Sequence, residues 1–124
     1  MNGDRLFVDT NIVLYLLNGD TTVAESLNQK SSFIYFITEL ELLSFKLLST
    51  EEERIIQNFL NASTIVEVNA EIKKQVVEIR KTSRLKLPDG IILATSHFLN
   101  VPLFTADKQF RVHSEFDIIL YKPD

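Results

Sequence analysis

The sequence predicts an α/β fold, a three-layer α/β/α sandwich around a central parallel sheet of about five strands. Three observations predict it. Short apolar segments rich in β-branched and aromatic residues recur along the chain. Segments of helical period separate them, which implies a parallel sheet covered on both faces with right-handed crossovers. Helix-capping residues mark the boundaries, and no repeat, low-complexity tract or Pro/Gly/Ser linker divides residues 1–124, so they read as one domain.

In chain order, Leu6-Phe7-Val8 reads as a short buried strand, and Asn11 to Leu17 as an apolar helix stopped by Asn18-Gly19. A second short helix follows from about Thr22, with Glu25 completing a capping box. Phe33 to Ile37 is aromatic and β-branched, hence a strand. Thr38 then begins a helix carrying Leu40, Leu42, Leu43, Phe45 and Leu47. The next helix starts after Thr50, where Glu51, Glu52 and Glu53 suit the positive end of the helix dipole. Thr64 to Val68 is a third strand, and Asn69 caps a helix reaching about Arg84. Leu87-Pro88-Asp89-Gly90 opens a helix that runs to about Leu99. Pro102 to Thr105 and Ile118 to Tyr121 are the fourth and fifth strands.

Composition removes several classes of function. The 124 residues carry 17 Asp+Glu against 13 Lys+Arg, a net charge of −4, which argues against coating nucleic acid by bulk charge but leaves room for a local basic patch. With no cysteine there is no disulfide scaffold, thiolate zinc site, iron–sulfur cluster or Cys nucleophile, and the chain is compatible with a reducing cytoplasm. The polar start Met1-Asn2-Gly3-Asp4-Arg5 does not read as a secretory leader. The longest apolar run, Ile12 to Leu17, is far shorter than the roughly 20 residues a membrane span needs, so a soluble protein is expected. Three glycines, Gly3, Gly19 and Gly90, supply neither a dinucleotide fingerprint, a phosphate-binding loop nor a nucleophile elbow.

The informative residues are acidic. In open parallel sheets chemistry gathers where strands end at their carboxyl edge. Asp9 directly follows the first strand and Asp107 comes just after the fourth, while Asp89 and Glu41 lie in the first turns of helices whose N-termini open toward that edge. Each has a bland alternative. Glu41 stands three residues after Thr38 and fits a capping box, Asp89 suits a helix dipole, and Asp107 can cap the turn Lys108-Gln109-Phe110. Asp9 has no capping role that Thr10 would not fill. Converging carboxylates repel and raise each other's pKa unless a cation neutralises them. Oxygen-only ligands favour Mg²⁺ or Mn²⁺.

The ordered set Phe7-Val8-Asp9-Thr10-Asn11, Ile37-Thr38-Glu39-Leu40-Glu41-Leu42-Leu43, Asp89-Gly90-Ile91-Ile92-Leu93-Ala94 and Leu103-Phe104-Thr105-Ala106-Asp107 with Phe110 resembles the PIN-domain ribonucleases. Among these it is most similar to the small VapC-type toxins of type II toxin–antitoxin systems. The resemblance spans about Arg5 to Phe110 and implies a PIN-like sandwich. It also implies Asp9, Asp89 and Asp107 as metal-side carboxylates, with Glu41 completing the catalytic quartet directly or through water. Asn11 and Thr105 take supporting, hydrogen-bonding roles. Glu39 competes with Glu41, but two positions along a helix point in very different directions, and the spacing to Leu42-Leu43 favours Glu41. Where family members often carry a further acid two residues after the last Asp, this chain has Gln109, which weakens the case for a tightly held second metal. The implied chemistry is hydrolysis of single-stranded RNA by water activated on Mg²⁺ or Mn²⁺.

Lys73, Lys74, Arg80, Lys81 and Arg84 fall within about 120° of one another on the predicted helix, with Lys86 following, against an apolar stripe of Ile72, Val76 and Ile79. This is either a solvated face or a track for the RNA backbone. His97 and His113 read as packing residues. Phe33, Tyr35 and Phe36 read as sheet core, not as a base-stacking platform. The Leu40, Leu43, Phe45 and Leu47 side offers a homodimer face or a groove for the helix of a cognate antitoxin, the partner the resemblance implies. Two further readings are open: a haloacid-dehalogenase-type phosphatase, for which Asn11 replaces the usual second Asp, and a receiver-like or degenerate binding module that does not cut.

Overall fold

The computed structural model describes residues 4–123. Its five strands are β1 (Arg5–Val8), β2 (Ser31–Tyr35), β3 (Thr64–Val66), β4 (Leu103–Thr105) and β5 (Ile118–Leu120). All neighbours pair in parallel, in the order β3-β2-β1-β4-β5, so the first strand in sequence is the central one. The helices are α1 (Thr10–Leu17), α2 (Thr21–Asn28), α3 (Phe36–Leu43), α4 (Thr50–Ala62), α5 (Ala70–Lys81) and α6 (Leu87–Leu99), with a short 3-10 helix at Lys108–Val112.

Strand alternation divides the core into two layers. Leu6, Val8, Ile34 and Phe104 point to one face, where Ile12 and Val13 of α1, Val23 and Leu27 of α2, Leu42 of α3, and Ile56, Phe59 and Leu60 of α4 cover them. Phe7, Tyr35 and Leu103 point to the other, against Ile92 and Leu93 of α6 and Phe110. Ile72 and Val76 of α5 then pack on Ala94 of α6, with Ile79 beside them, as the predicted apolar stripe requires. No helix among the described residues is long and apolar enough to cross a membrane.

The α/β class and the parallel sheet agree with the sequence reading; several boundaries do not. β2 begins and ends two residues earlier than Phe33 to Ile37, because its pairing with β1 starts at Ser31 against Arg5. Helix α3 therefore opens at Phe36, and Tyr35 precedes it with no side-chain cap. The Thr38–Glu41 capping box does not exist: Thr38 lies inside the helix and is buried. The Thr22–Glu25 box is absent too, since Asp20 caps α2 by accepting from the Val23 N–H. The third strand stops at Val66 and the fourth starts at Leu103, leaving the Pro102 carbonyl to accept from the Phe7 N–H. Helix α5 ends at Lys81, which puts Arg84 in the following loop, and α3 ends at Leu43, which leaves Phe45 and Leu47 in the connection to α4. Phe36 belongs to a helix, packed edge-on against Tyr35.

The stop after α1 is found where expected, and the start of α4 carries a cap that the sequence reading did not name. Gly19 takes φ +84 just past α1, a left-handed conformation that glycine adopts without a Cβ penalty. Ser49 and Glu52 form a reciprocal capping box at α4.

Candidate active site

Asp9 is positioned by the centre of the sheet. Its N–H donates to the Phe104 carbonyl at 3.0 Å, which continues the β1–β4 pairing past the end of β1. In an extended conformation (φ −76, ψ 150) it then becomes the N-cap of α1. Sequence alone points to Thr10 for that capping; instead Thr10 is the first helical residue, and its N–H donates to Asp9 Oδ1 at 2.9 Å. The other carboxylate oxygen, Oδ2, accepts from Thr105 Oγ1 at 2.7 Å and Asn11 Nδ2 at 3.3 Å. Burial pushes the Asp9 carboxyl above the ordinary range; the Thr105 and Thr10 hydrogen bonds oppose this, and the charges of Asp89 and Asp107 add to it.

Thr105 and Asn11 tie β4 to α1. Fully buried Thr105 donates its hydroxyl proton to Asp9 and accepts the Asp107 N–H at 3.0 Å, so one hydroxyl links two acids. Asn11 Oδ1 accepts the Ala106 N–H at 3.0 Å, which leaves its amide nitrogen to face Asp9. Asp107 does cap the turn that follows, accepting the Gln109 N–H at 2.9 Å. Capping and convergence are compatible here, because Asp107 lines the same cavity as Asp9.

Asp89 reaches that cavity from the first turn of α6, behind Pro88. Burial raises its pKa first, the charge of Asp107 raises it further, and Lys86 opposes both. Glu41 arrives from α3, exposed to solvent, and its Oε1 accepts from Thr10 Oγ1 at 2.9 Å. Glu39 is not among the lining residues, as expected from two positions on a helix.

Asp9, Glu41, Asp89 and Asp107 thus border one cavity of about 360 Å³, together with Thr10, Asn11, Tyr35 and Thr38. A larger cavity of about 800 Å³, between Ile79, Arg84, Leu85, His113 and Phe116, contains none of the four. The donor chemistry fits a hard divalent cation: the lining ligands are oxygens, and the mutual repulsion of Asp9, Asp89 and Asp107 is what a cation relieves. As they stand, no group of three or more His, Asp or Glu side chains among the described residues is gathered into a set that holds an ion.

The basic residues are less concentrated. Lys73, Lys74, Arg80 and Lys81 belong to α5 and are all exposed. Lys73 borders an apolar cavity that shares Tyr35 with the acidic one. Arg80 is also tied to the next helix, its Nε donating to the Leu85 carbonyl at 3.3 Å and its stem lying over Gly90. Arg84 lines the large cavity, and Lys86 stands near Asp89. His97 stacks edge-on against Phe116 and His113 is buried, which suits packing roles. Sequence reasoning missed Thr10 and Thr38, whose hydroxyls meet at 3.0 Å beside Glu41.

The chain matches the PIN-domain family over residues 6–115. No curated protein sequence matches it significantly. Among solved structures it is similar to a chain of a toxin–antitoxin complex from Klebsiella pneumoniae, at 27% identity and TM-score 0.79, covering 96% of this chain and 99% of that one. It is also similar to a chain of VapBC2 from Rickettsia felis, solved with a promoter DNA fragment, at 18% identity and TM-score 0.78 over 95% and 99% of the two chains. A chain of VapBC-1 from nontypeable Haemophilus influenzae matches at 23% identity and TM-score 0.76, over 94% and 97%. A matched family covering nearly the whole sequence, and a fold shared with VapBC complexes, agree with the resemblance carried by the acidic motifs: the chain belongs to the PIN-domain family.

Proposed function

We propose that this protein is a divalent-metal-dependent endoribonuclease acting on single-stranded RNA, and the toxin of a toxin–antitoxin pair. The observation that carries the proposal is the convergence of Asp9, Glu41, Asp89 and Asp107, from four separate segments, on one cavity at the carboxyl edge of the sheet. Family membership supports nuclease chemistry, and the similarity to chains of toxin–antitoxin complexes supports the toxin reading.

In this reading Asp9, Asp89 and Asp107 hold Mg²⁺ or Mn²⁺. When bound, the cation supplies a lowered pKa for water and offsets charge on the phosphoryl oxygens. Asp9 is the fixed member, locked by three hydrogen bonds. Asn11 and Thr105 hold it, and Glu41 orients or deprotonates the attacking water from the α3 side. No side-chain nucleophile is needed. Lys86 is the basic residue best placed to meet a phosphate near the acids, while Lys73, Lys74, Arg80, Lys81 and Arg84 contact the RNA backbone farther out. Residues 1–124 act as one domain in the cytoplasm.

The antitoxin covers exposed apolar side chains of α1 and α3, namely Leu14, Ile37, Leu40 and Leu43; Leu14 and Ile37 also border the acidic cavity. A homodimer is part of the same reading, checked by sedimentation of the isolated protein. The deciding experiment is cleavage of defined single-stranded RNAs with Mg²⁺ or Mn²⁺, with chelator, and against a small phosphate ester. Metal-dependent RNA cutting without ester hydrolysis is expected. Hydrolysis of the ester alone would instead favour a phosphatase, and an absence of Mn²⁺ affinity would leave a binding module.

A further inference from the structure

We propose that Thr10, backed by Thr38, is a positioning residue whose hydroxyl holds the Glu41 carboxylate over the acidic cavity. The inference rests on the nuclease reading above and assigns a part in it to two threonines. Their hydroxyls form a short chain: Thr38 Oγ1 lies 3.0 Å from Thr10 Oγ1, which lies 2.9 Å from Glu41 Oε1.

The proton accounting gives this chain a direction. A hydroxyl has one hydrogen to donate, and an ionised carboxylate can only accept. The Thr10 proton therefore goes to Glu41, and the Thr38 hydroxyl donates to Thr10. Thr38 is 2% exposed, so its hydroxyl requires a protein partner, and Thr10 supplies one. Donation from Thr38 polarises the Thr10 hydroxyl and strengthens its bond to the carboxylate.

Comparison with the other acids shows what the bond does. Asp9 and Asp107 are short side chains, each anchored by a backbone N–H of its own helix start. Glu41 is longer, exposed and carried on α3, and a side chain from α1 holds it across 31 residues of sequence. Thr38 and Glu41 stand three apart on one face of α3, so the helix presents both to Thr10 together. Residue 10 in turn binds Asp9 through its N–H and Glu41 through its hydroxyl, which fixes the two acids relative to each other.

The test compares wild type, Thr10→Val, Thr10→Ser, Glu41→Gln and the double variant Thr10→Val/Glu41→Gln, with folding checked by circular dichroism. Thr10→Val keeps the shape and loses the hydroxyl; kcat for RNA should fall about tenfold with KM within about twofold, and Thr10→Ser should recover most of it. In the Glu41→Gln background the same change should cost less than about twofold. A full loss in that background, or no recovery with serine, would overturn the proposal. A readout independent of turnover is the side-chain carboxyl ¹³C resonance of Glu41, expected to move in Thr10→Val and return in Thr10→Ser; an unmoved resonance also overturns it. If wild type cuts no RNA, the nuclease reading fails, and the resonance alone decides the Thr10–Glu41 link.

Discussion

The carboxyl edge of the sheet gathers acids and the exposed surface of α5 carries a group of bases flanked by Glu71 and Glu78, and the two are built in opposite ways. At the edge, Asp9, Thr105, Asn11 and Asp107 interlock through hydrogen bonds that cross nearly the whole sequence, and their charges press on one another inside a partly buried cavity. On α5, Lys73, Lys74, Arg80 and Lys81 are all exposed, Arg80 also donating to a loop carbonyl. Like charge gathered against its own repulsion requires backbone to hold it, and that arrangement marks chemistry. Like charge spread on a helix costs little and fits interactions that tolerate many geometries, as with a phosphate backbone.

The contrast predicts effects of different size and kind. Asp9→Asn should preserve the fold and lower kcat/KM for RNA by more than about a hundredfold, since it removes the residue that the network is arranged to hold. Circular dichroism with a cleavage assay checks both halves; wild-type cutting by this variant would take Asp9 out of the mechanism. Thr105→Val, which breaks the bridge between Asp9 and Asp107, should cost about ten- to a hundredfold in activity or Mn²⁺ affinity. On the other side, replacing Lys73, Lys74, Arg80 and Lys81 by Gln should leave the metal site intact. It should weaken RNA binding and reduce the log–log salt slope by about 0.7 for each phosphate that is no longer neutralised. An unchanged slope would show α5 to be a solvated face only.

The smallest effect concerns stability. Asp9 and Asp89 have carboxyls held above their ordinary value of 3.8, mainly by burial. The folded protein therefore takes up protons before the unfolded chain does as pH falls. The penalty of burying these charges is full at neutral pH and is relieved as pH drops through their raised values. Thermal midpoints of the metal-free protein should accordingly rise modestly as pH is lowered from neutral toward the ordinary carboxylate range. Mn²⁺ should flatten that dependence. Below this window Asp20 and Glu52, whose carboxyls are held low by hydrogen bonds, lose their contribution and reverse the trend.

The fold class was legible because apolar periodicity survives small errors of boundary. The boundaries themselves were less so. Phe33 to Ile37 is β-branched and aromatic throughout, yet the strand ends at Tyr35, because register with β1 decides where pairing stops and nothing in those five residues records that register. Asp9, Asp89 and Asp107 could be singled out from their places after strands and at a helix start. Glu41, expected in a first turn, stands in the second turn of α3, because the helix opens at Phe36 and its first-turn acid is Glu39. Of their supports, Asn11 and Thr105 entered only through the family resemblance and Thr10 and Thr38 not at all: Asp9 meets Thr105 across 96 residues, and Thr10 meets Glu41 across 31, contacts that only the folded chain makes. Thr38 shows the same limit from the other side. Its spacing to Glu41 has the form of a cap, and it is instead the geometry that puts both on one helix face. The basic stripe presumes a helix longer than the real one, which ends before Arg84.

The central place of β1 has a consequence in time. Asp9 is delivered by the ribosome 96 residues ahead of the hydroxyl of Thr105, which ends β4, the strand that completes its environment. Until then Asp9 is without its Thr105 partner, and β4, β5 and the Thr105–Asp107 bridge are still unmade. The assembled site therefore cannot form before Thr105 and Asp107 have been made, and a polypeptide broken off ahead of them lacks it.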